Sequence, residues 1–156
     1  MTQIRRVFAR VVLVASAVAL AGSSVASAQD ARAAQQVKLR QSAYTVLGAQ
    51  MGLMAAQASG RAPYEANTYR IAAERAAFIA NYVPELFPTG SITPSSKAKP
   101  ELWQQQAEFQ RLMRDMQSKT ATLATTARGG DLEAIKPAFG AVGASCKACH
   151  DKYKAD

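Results

Sequence analysis

The chain has 156 residues, 49% hydrophobic and 19% charged, with 19 Lys and Arg against 11 Asp and Glu and a net charge of +8. That length supports one domain able to bury a real core. The basic residues are scattered rather than clustered, which argues against a nucleic-acid surface and leaves a mild attraction to acidic protein surfaces.

The N-terminus carries Arg5, Arg6 and Arg10, then an apolar run from Val11 to Ala21 relieved only by Ser16, then Ala26-Ser27-Ala28. A basic start, a short apolar stretch and a small-x-small site are the layout of a secretory signal peptide. The run falls short of the ~20 residues of a membrane span, which disfavours an uncleaved anchor. Residues 1–28 are read as the signal and 29–156 as the mature domain, beginning at Gln29. Cleavage removes three of the 19 basic residues and none of the 11 acidic ones, which takes the net charge from +8 to +5. The expectation is a periplasmic protein, free of the membrane after cleavage. In that oxidising compartment a bare Cys pair tends to a disulfide unless committed to something else.

After the signal, helix formers dominate and strand signals are almost absent. The first predicted helix runs from about Ala31 to Ser59, stops at Gly60, and has Val37, Tyr44, Leu47, Met51 and Met54 on one face. The second runs from about Pro63 to near Tyr82, with Tyr69, Ala72, Ala76 and Ile79 inward. Pro84, Pro88, Gly90 and Pro94 predict an irregular loop. The third helix starts at Pro100, ends at Gly129-Gly130, and buries Leu102, Phe109, Leu112, Met116 and Leu123, with Trp103 and Met113 alongside. The fourth takes Asp131 as N-cap and carries Leu132, Ile135, Phe139 and Val142. Pro137 lies too deep for a first-turn proline and predicts a local distortion over 133–137. The fold class is all-α, an antiparallel four-helix bundle with its cofactor site between facing helices.

The chemistry sits in "GASCKACHDKYKAD", which holds both cysteines, Cys146 and Cys149, and the only histidine, His150. On a helix, Cys146 and His150 share a face and Cys149 lies on the neighbouring edge. Two thiols can then add to the two vinyl groups of one porphyrin, with the imidazole over the ring centre. Cys-x-x-Cys-His is the attachment signature of c-type haem, so one covalent haem c per chain is expected. A structural zinc site usually needs four ligands, and beyond one His and two Cys the chain has no further soft ligand. A thioredoxin-like dithiol needs a βαβ context, and none is visible. A structural disulfide would leave His150 idle. With no second histidine, Met51, Met54, Met113 and Met116 are the remaining candidates for a sixth iron ligand. Methionines at helical spacing also serve as core packing, which leaves a five-coordinate iron facing an apolar pocket.

The chain resembles the cytochrome c′ family, the class II c-type cytochromes. The resemblance covers the mature chain and rests on "VKLRQSAYTVLGAQMG", "KPELW", "GGDLEAIKPAFG" and the C-terminal "FGAVGASCKACHDKYK". Class I cytochromes c carry their Cys-x-x-Cys-His near the N-terminus and a Met ligand far downstream, which this chain does not offer. The resemblance implies Cys146 and Cys149 as thioether residues and His150 as the proximal, partly solvent-reachable iron ligand. It places Arg40 near the haem propionates, Gln41 beside it, and Ser96 and Lys97, in the segment from Ser95, along the haem edge. Lys154 stands where the family often has Arg on the proximal side, keeping the charge and losing the planar fork. Tyr44 matches the position that covers the vacant distal face. Its phenol is protonated at neutral pH, so a lid is expected there, against the alternative of plain core packing. Gly140 and Gly143 keep the fourth helix slim where haem must approach, against the alternative of plain small-residue packing. A homodimer packed through the first helix is also implied.

Together these readings describe a high-spin haem protein for small diatomic gases, nitric oxide or carbon monoxide, with an auxiliary electron-transfer role and an unassigned redox partner protein. It is not read as an enzyme, since no general acid or base set stands over the iron. The alternatives are a low-spin electron carrier with a Met sixth ligand and an exported haem-free dithiol or structural bundle.

Overall fold

The computed structural model describes the backbone of residues 2–155 and the side chains of residues 28–155. The signal peptide read in residues 1–28 lies, except for Ala28, outside the described side chains. Among the described residues five α-helices appear: α1 Thr2–Ala58, α2 Ala66–Tyr82, α3 Glu101–Gln104, α4 Gln106–Ala127 and α5 Leu132–Tyr153. A 3-10 turn, Val83–Leu86, follows α2 directly. The four long helices form the bundle, with α1 against α2, α2 against α4 and α4 against α5. Among the described residues no helix is long and apolar enough to cross a membrane.

Helix ends follow local chemistry. Gly60 and Gly130 take φ of 74° and 73°, a left-handed conformation that L side chains resist and glycine adopts freely. Asp131 caps α5 as expected, its carboxylate accepting the Glu133 N–H at 3.0 Å. The start of α2 differs from expectation. It lies at Ala66 and not near Pro63, because the Gln57 amide oxygen reaches over from α1 to take the Glu65 N–H at 2.9 Å. The third predicted helix is interrupted at Gln105, with φ −110° and ψ 44°. No proline or glycine marks this break; Gln105 instead accepts a hydrogen bond from the Tyr153 hydroxyl at 3.0 Å. The distortion expected at Pro137 is also corrected, since α5 runs unbroken through it. The proline removes only the bond to the Glu133 carbonyl, and Glu133 sits on the exposed first turn where water can serve.

The core has two parts. In one half Ala72, Ala73 and Ala76 of α2 pack with Leu47, Met54, Leu123, Ile135 and Val142. These small α2 side chains let three helices approach closely. In the other half Leu102, Phe109, Leu112, Met116 and Tyr153 are larger and stand around a cavity. Replacing Ala73, which is fully buried, by Leu is expected to overpack the tight half and cost about 1–3 kcal/mol. Urea unfolding measures it, and a variant as stable as the parent would refute the close approach.

Candidate functional site

The cavity has a volume of about 590 Å³ and lies between α1, α4 and the C-terminal half of α5. That is within the usual ~300–1,000 Å³ of cofactor sites. The helical register of α5 brings Cys146, Cys149 and His150 to its wall, with both thiols half-buried, unbridged and His150 more exposed. Gly143 lines the same wall one turn earlier, and Gly48 faces it from α1. A Cβ added at either would meet nothing within 4 Å, so both positions leave room for a bulky occupant. Gly140, expected to share this role, is exposed and outside the cavity.

The remaining expected residues converge as well. Arg40, Gln41 and Tyr44 line the cavity from α1, Ser96 and Lys97 from the loop before α3, and Lys154 from just past α5. Met51, Met113 and Met116 also reach it, whereas Met54 is fully buried in the tight half of the core and is removed from the ligand candidates.

Arg40 organises the rim. It is 4% exposed, yet its hydrogen-bond partners are all neutral. One terminal nitrogen donates to the Leu86 carbonyl at 3.0 Å and Ser91 Oγ at 3.2 Å. The other donates to the Ser91 carbonyl at 3.0 Å and Ser96 Oγ at 3.1 Å. The guanidinium lies 4.5 Å from the Phe87 ring centre and 6.0 Å from that of Trp103. Burial lowers its pKa, against a smaller raising effect of Tyr44. Next to it, Gln41 donates to the Ser95 carbonyl at 3.0 Å. An antiparallel bridge between Ala98 and Lys154 ties the loop to the chain after α5. Its bonds run from Lys99 N–H to the Tyr153 carbonyl and from Ala155 N–H to the Lys97 carbonyl, both 2.8 Å.

Aromatic rings brace the walls edge to face, Phe87 against Tyr44 at 6.4 Å and against Phe109 at 5.0 Å, then Phe109 against Tyr153 at 5.8 Å. Phe87, Ser91 and Tyr153 escaped the sequence reading as site residues. Their only signal was aromatic or polar character in a loop or last turn that reads as punctuation.

The electrostatics are those of a dry pocket. Burial raises the Tyr44 phenol pKa, with Cys149 and Cys146 adding to it and Arg40 opposing. Burial and then Cys146 push the Cys149 thiol up to about 11. Burial also raises Cys146, partly offset by hydrogen bonds from Ser145 and its own backbone. The His150 pKa is lowered by partial burial and by Lys154, with Asp151 opposing.

These residues fit a c-type haem. Two thiols and an imidazole share one wall, the glycine pair leaves space, and a buried cation on the rim has no carboxylate partner among the described residues. They do not fit a bare metal ion, since among the described residues no group of three or more His, Cys, Asp or Glu converges to hold one. Replacing Arg40 by Gln should cost at least about 2 kcal/mol, because the Leu86 and Ser91 carbonyls lose their donors. Amide exchange over 86–96 should accelerate, and unchanged exchange there would refute the clamp.

The family model for cytochrome c′ matches residues 35–154. Cytochrome c′ of Alcaligenes xylosoxydans xylosoxydans is 36% identical over 126 residues, covering 81% of this chain and 98% of that one. A nitric oxide complex of a cytochrome c prime variant from Alcaligenes xylosoxidans superposes with a TM-score of 0.75 at 35% identity, covering 80% and 97%. A cytochrome c′ described by its ligand-controlled dimer dissociation superposes at 0.73 and 35% identity, covering 78% and 95%. The chain belongs to the cytochrome c′ family, whose members carry one covalently bound haem c per chain.

Proposed function

We propose that this chain is a periplasmic haem c protein that binds nitric oxide or carbon monoxide at an open coordination position, with electron transfer as an auxiliary role and no catalytic turnover of its own. Cys146 and Cys149 would hold the haem by thioether bonds, and His150 would supply a nitrogen to its iron. Bound there, haem contributes an iron that accepts a neutral diatomic ligand. One observation carries the reading. The only histidine is committed to the α5 wall, and the lining that α1 and α4 contribute is largely apolar, including Val37, Tyr44, Leu47 and Leu112. The Tyr44 ring excludes water and stands as a lid, and burial keeps its phenol protonated. The nitric oxide complex of the 35% identical neighbour supports the choice of gas. Gln41, Ser96, Lys97 and Lys154 would border the haem, and Arg40 would offer a buried cation to its propionates.

The second reading, a low-spin electron carrier, is favoured by Met51, Met113 and Met116 at the cavity wall. Optical spectra separate the two. The ferrous protein should be high-spin, unchanged by Met51→Leu, Met113→Leu or Met116→Leu, and should shift on adding nitric oxide. A six-coordinate low-spin spectrum without added ligand would overturn the proposal. Intact mass under denaturing conditions tests attachment and export together. The expected value is a chain beginning at Gln29 plus one haem, and loss of the haem increment in the parent protein would end the haem assignment.

The proposal includes a homodimer. Leu39, Val46 and Leu53 recur every seven residues on α1 and are 38%, 50% and 37% exposed, while Phe78 on α2 is 75% exposed. Val46, Ile71, Phe78 and Ile79 line a shared groove. A second copy covering this face accounts for so much exposed apolar surface on adjacent helices. Phe78→Glu should shift the sedimentation coefficient from dimer to monomer with the haem spectrum intact, and a parent protein that sediments as a monomer would refute the dimer.

A further inference from the structure

A second hollow of about 260 Å³ opens on the outer surface between the 3-10 turn, α3 and α4. Its rim is polar, with Gln106, Gln110, Arg114 and Gln117. Its inner side is formed by Phe87, Leu102, Phe109 and Met113, and these same four residues line the large cavity. One layer of side chains therefore separates the surface hollow from the haem site.

The layer has the composition of a gate for small neutral molecules. Leu102, Phe109 and Met113 are buried and Phe87 is half-buried, so an ion crossing it would lose its hydration without compensation. Methionine is unbranched and flexible. Side-chain rotamer changes are fast compared with backbone rearrangement, and a diatomic molecule needs no more opening than they provide. Phe87 belongs to the loop after the 3-10 turn and stands edge-on to both Phe109 and Tyr44. The layer thus opens on the side of the cavity where Tyr44 stands.

We propose that the hollow is the antechamber, and the Phe87–Leu102–Phe109–Met113 layer the gate, through which a neutral diatomic gas reaches the haem site. The inference rests on the gas-binding function proposed above. A gate acts on passage in both directions, so it changes association and dissociation rates equally and leaves their ratio alone.

The test uses the haem-loaded protein, with carbon monoxide as the probe. Gln110→Trp and Gln106→Trp fill the hollow from outside the cavity, at exposed positions. Both rate constants are expected to fall together, by about threefold or more, with the equilibrium affinity unchanged. Crystals of the loaded protein under xenon supply an independent readout. Xenon should occupy the hollow in the parent protein and be absent in Gln110→Trp. Unchanged association rates in variants whose hollow no longer holds xenon would overturn the gate, as would a parent hollow that takes up no xenon. An affinity that shifts with the rates would also overturn it, by showing an effect on the bound state. A parent protein that binds no carbon monoxide would instead refute the gas-binding function, and the gate with it.

Discussion

The buried fork of Arg40 is the interaction on which the site depends. The segment between the 3-10 turn and α3 has no regular backbone ladder of its own, and it forms a full side of the haem cavity. A helix cannot hold such a segment by packing alone, because its carbonyls need donors. Arg40 supplies them from α1, bonding residues 46 to 56 positions away along the chain. The planar guanidinium suits this work better than an ammonium, since it points paired donors at Leu86 and Ser91 while stacking on Phe87. It also brings a full charge into a place that neutral carbonyls only partly solvate. A group carrying carboxylates at the rim would complete the arrangement, and haem carries two.

The tight and open halves of the bundle arise from side-chain size. Alanines on α2 draw helices together where no cofactor is needed. Aromatic and long aliphatic residues on α3, α4 and α5 hold the walls apart where it is. The same aromatic contacts that fill the wall also position its chemistry, since Phe87 links Arg40, Tyr44 and Phe109, and Tyr153 links Phe109 to the Gln105 break. Structure and site are therefore not separable parts of this molecule.

Much of this was legible in the residue pattern. The four long helices, the Asp131 cap, the glycine stops and the grouping of Cys146, Cys149 and His150 follow from periodicity and from one short motif, and the convergence of Tyr44 with them from the family resemblance. What escaped was set by partners distant in sequence. The α2 start is shifted by a side chain from α1, and the helix break at Gln105 coincides with a bond from Tyr153. Nothing near Ala98 predicts an antiparallel bridge with Lys154. The methionines mark the limit of spacing arguments most clearly. Met51 and Met54 share a stripe on α1 and pack in the same half of the core, yet only Met51 reaches the cavity, because three residues along a helix are enough to turn a side chain from the cavity edge into the fully buried interior.

The placement of Lys154 beside His150 has a further consequence, for competition between the proton and the metal. A coordinating imidazole must give up its proton on the binding nitrogen. Partial burial of the ring and the positive charge of Lys154 both disfavour protonation, and Asp151 only partly offsets them. The uncoordinated ring is therefore harder to protonate than an ordinary imidazole, which suits a side chain whose lone pair is its working part.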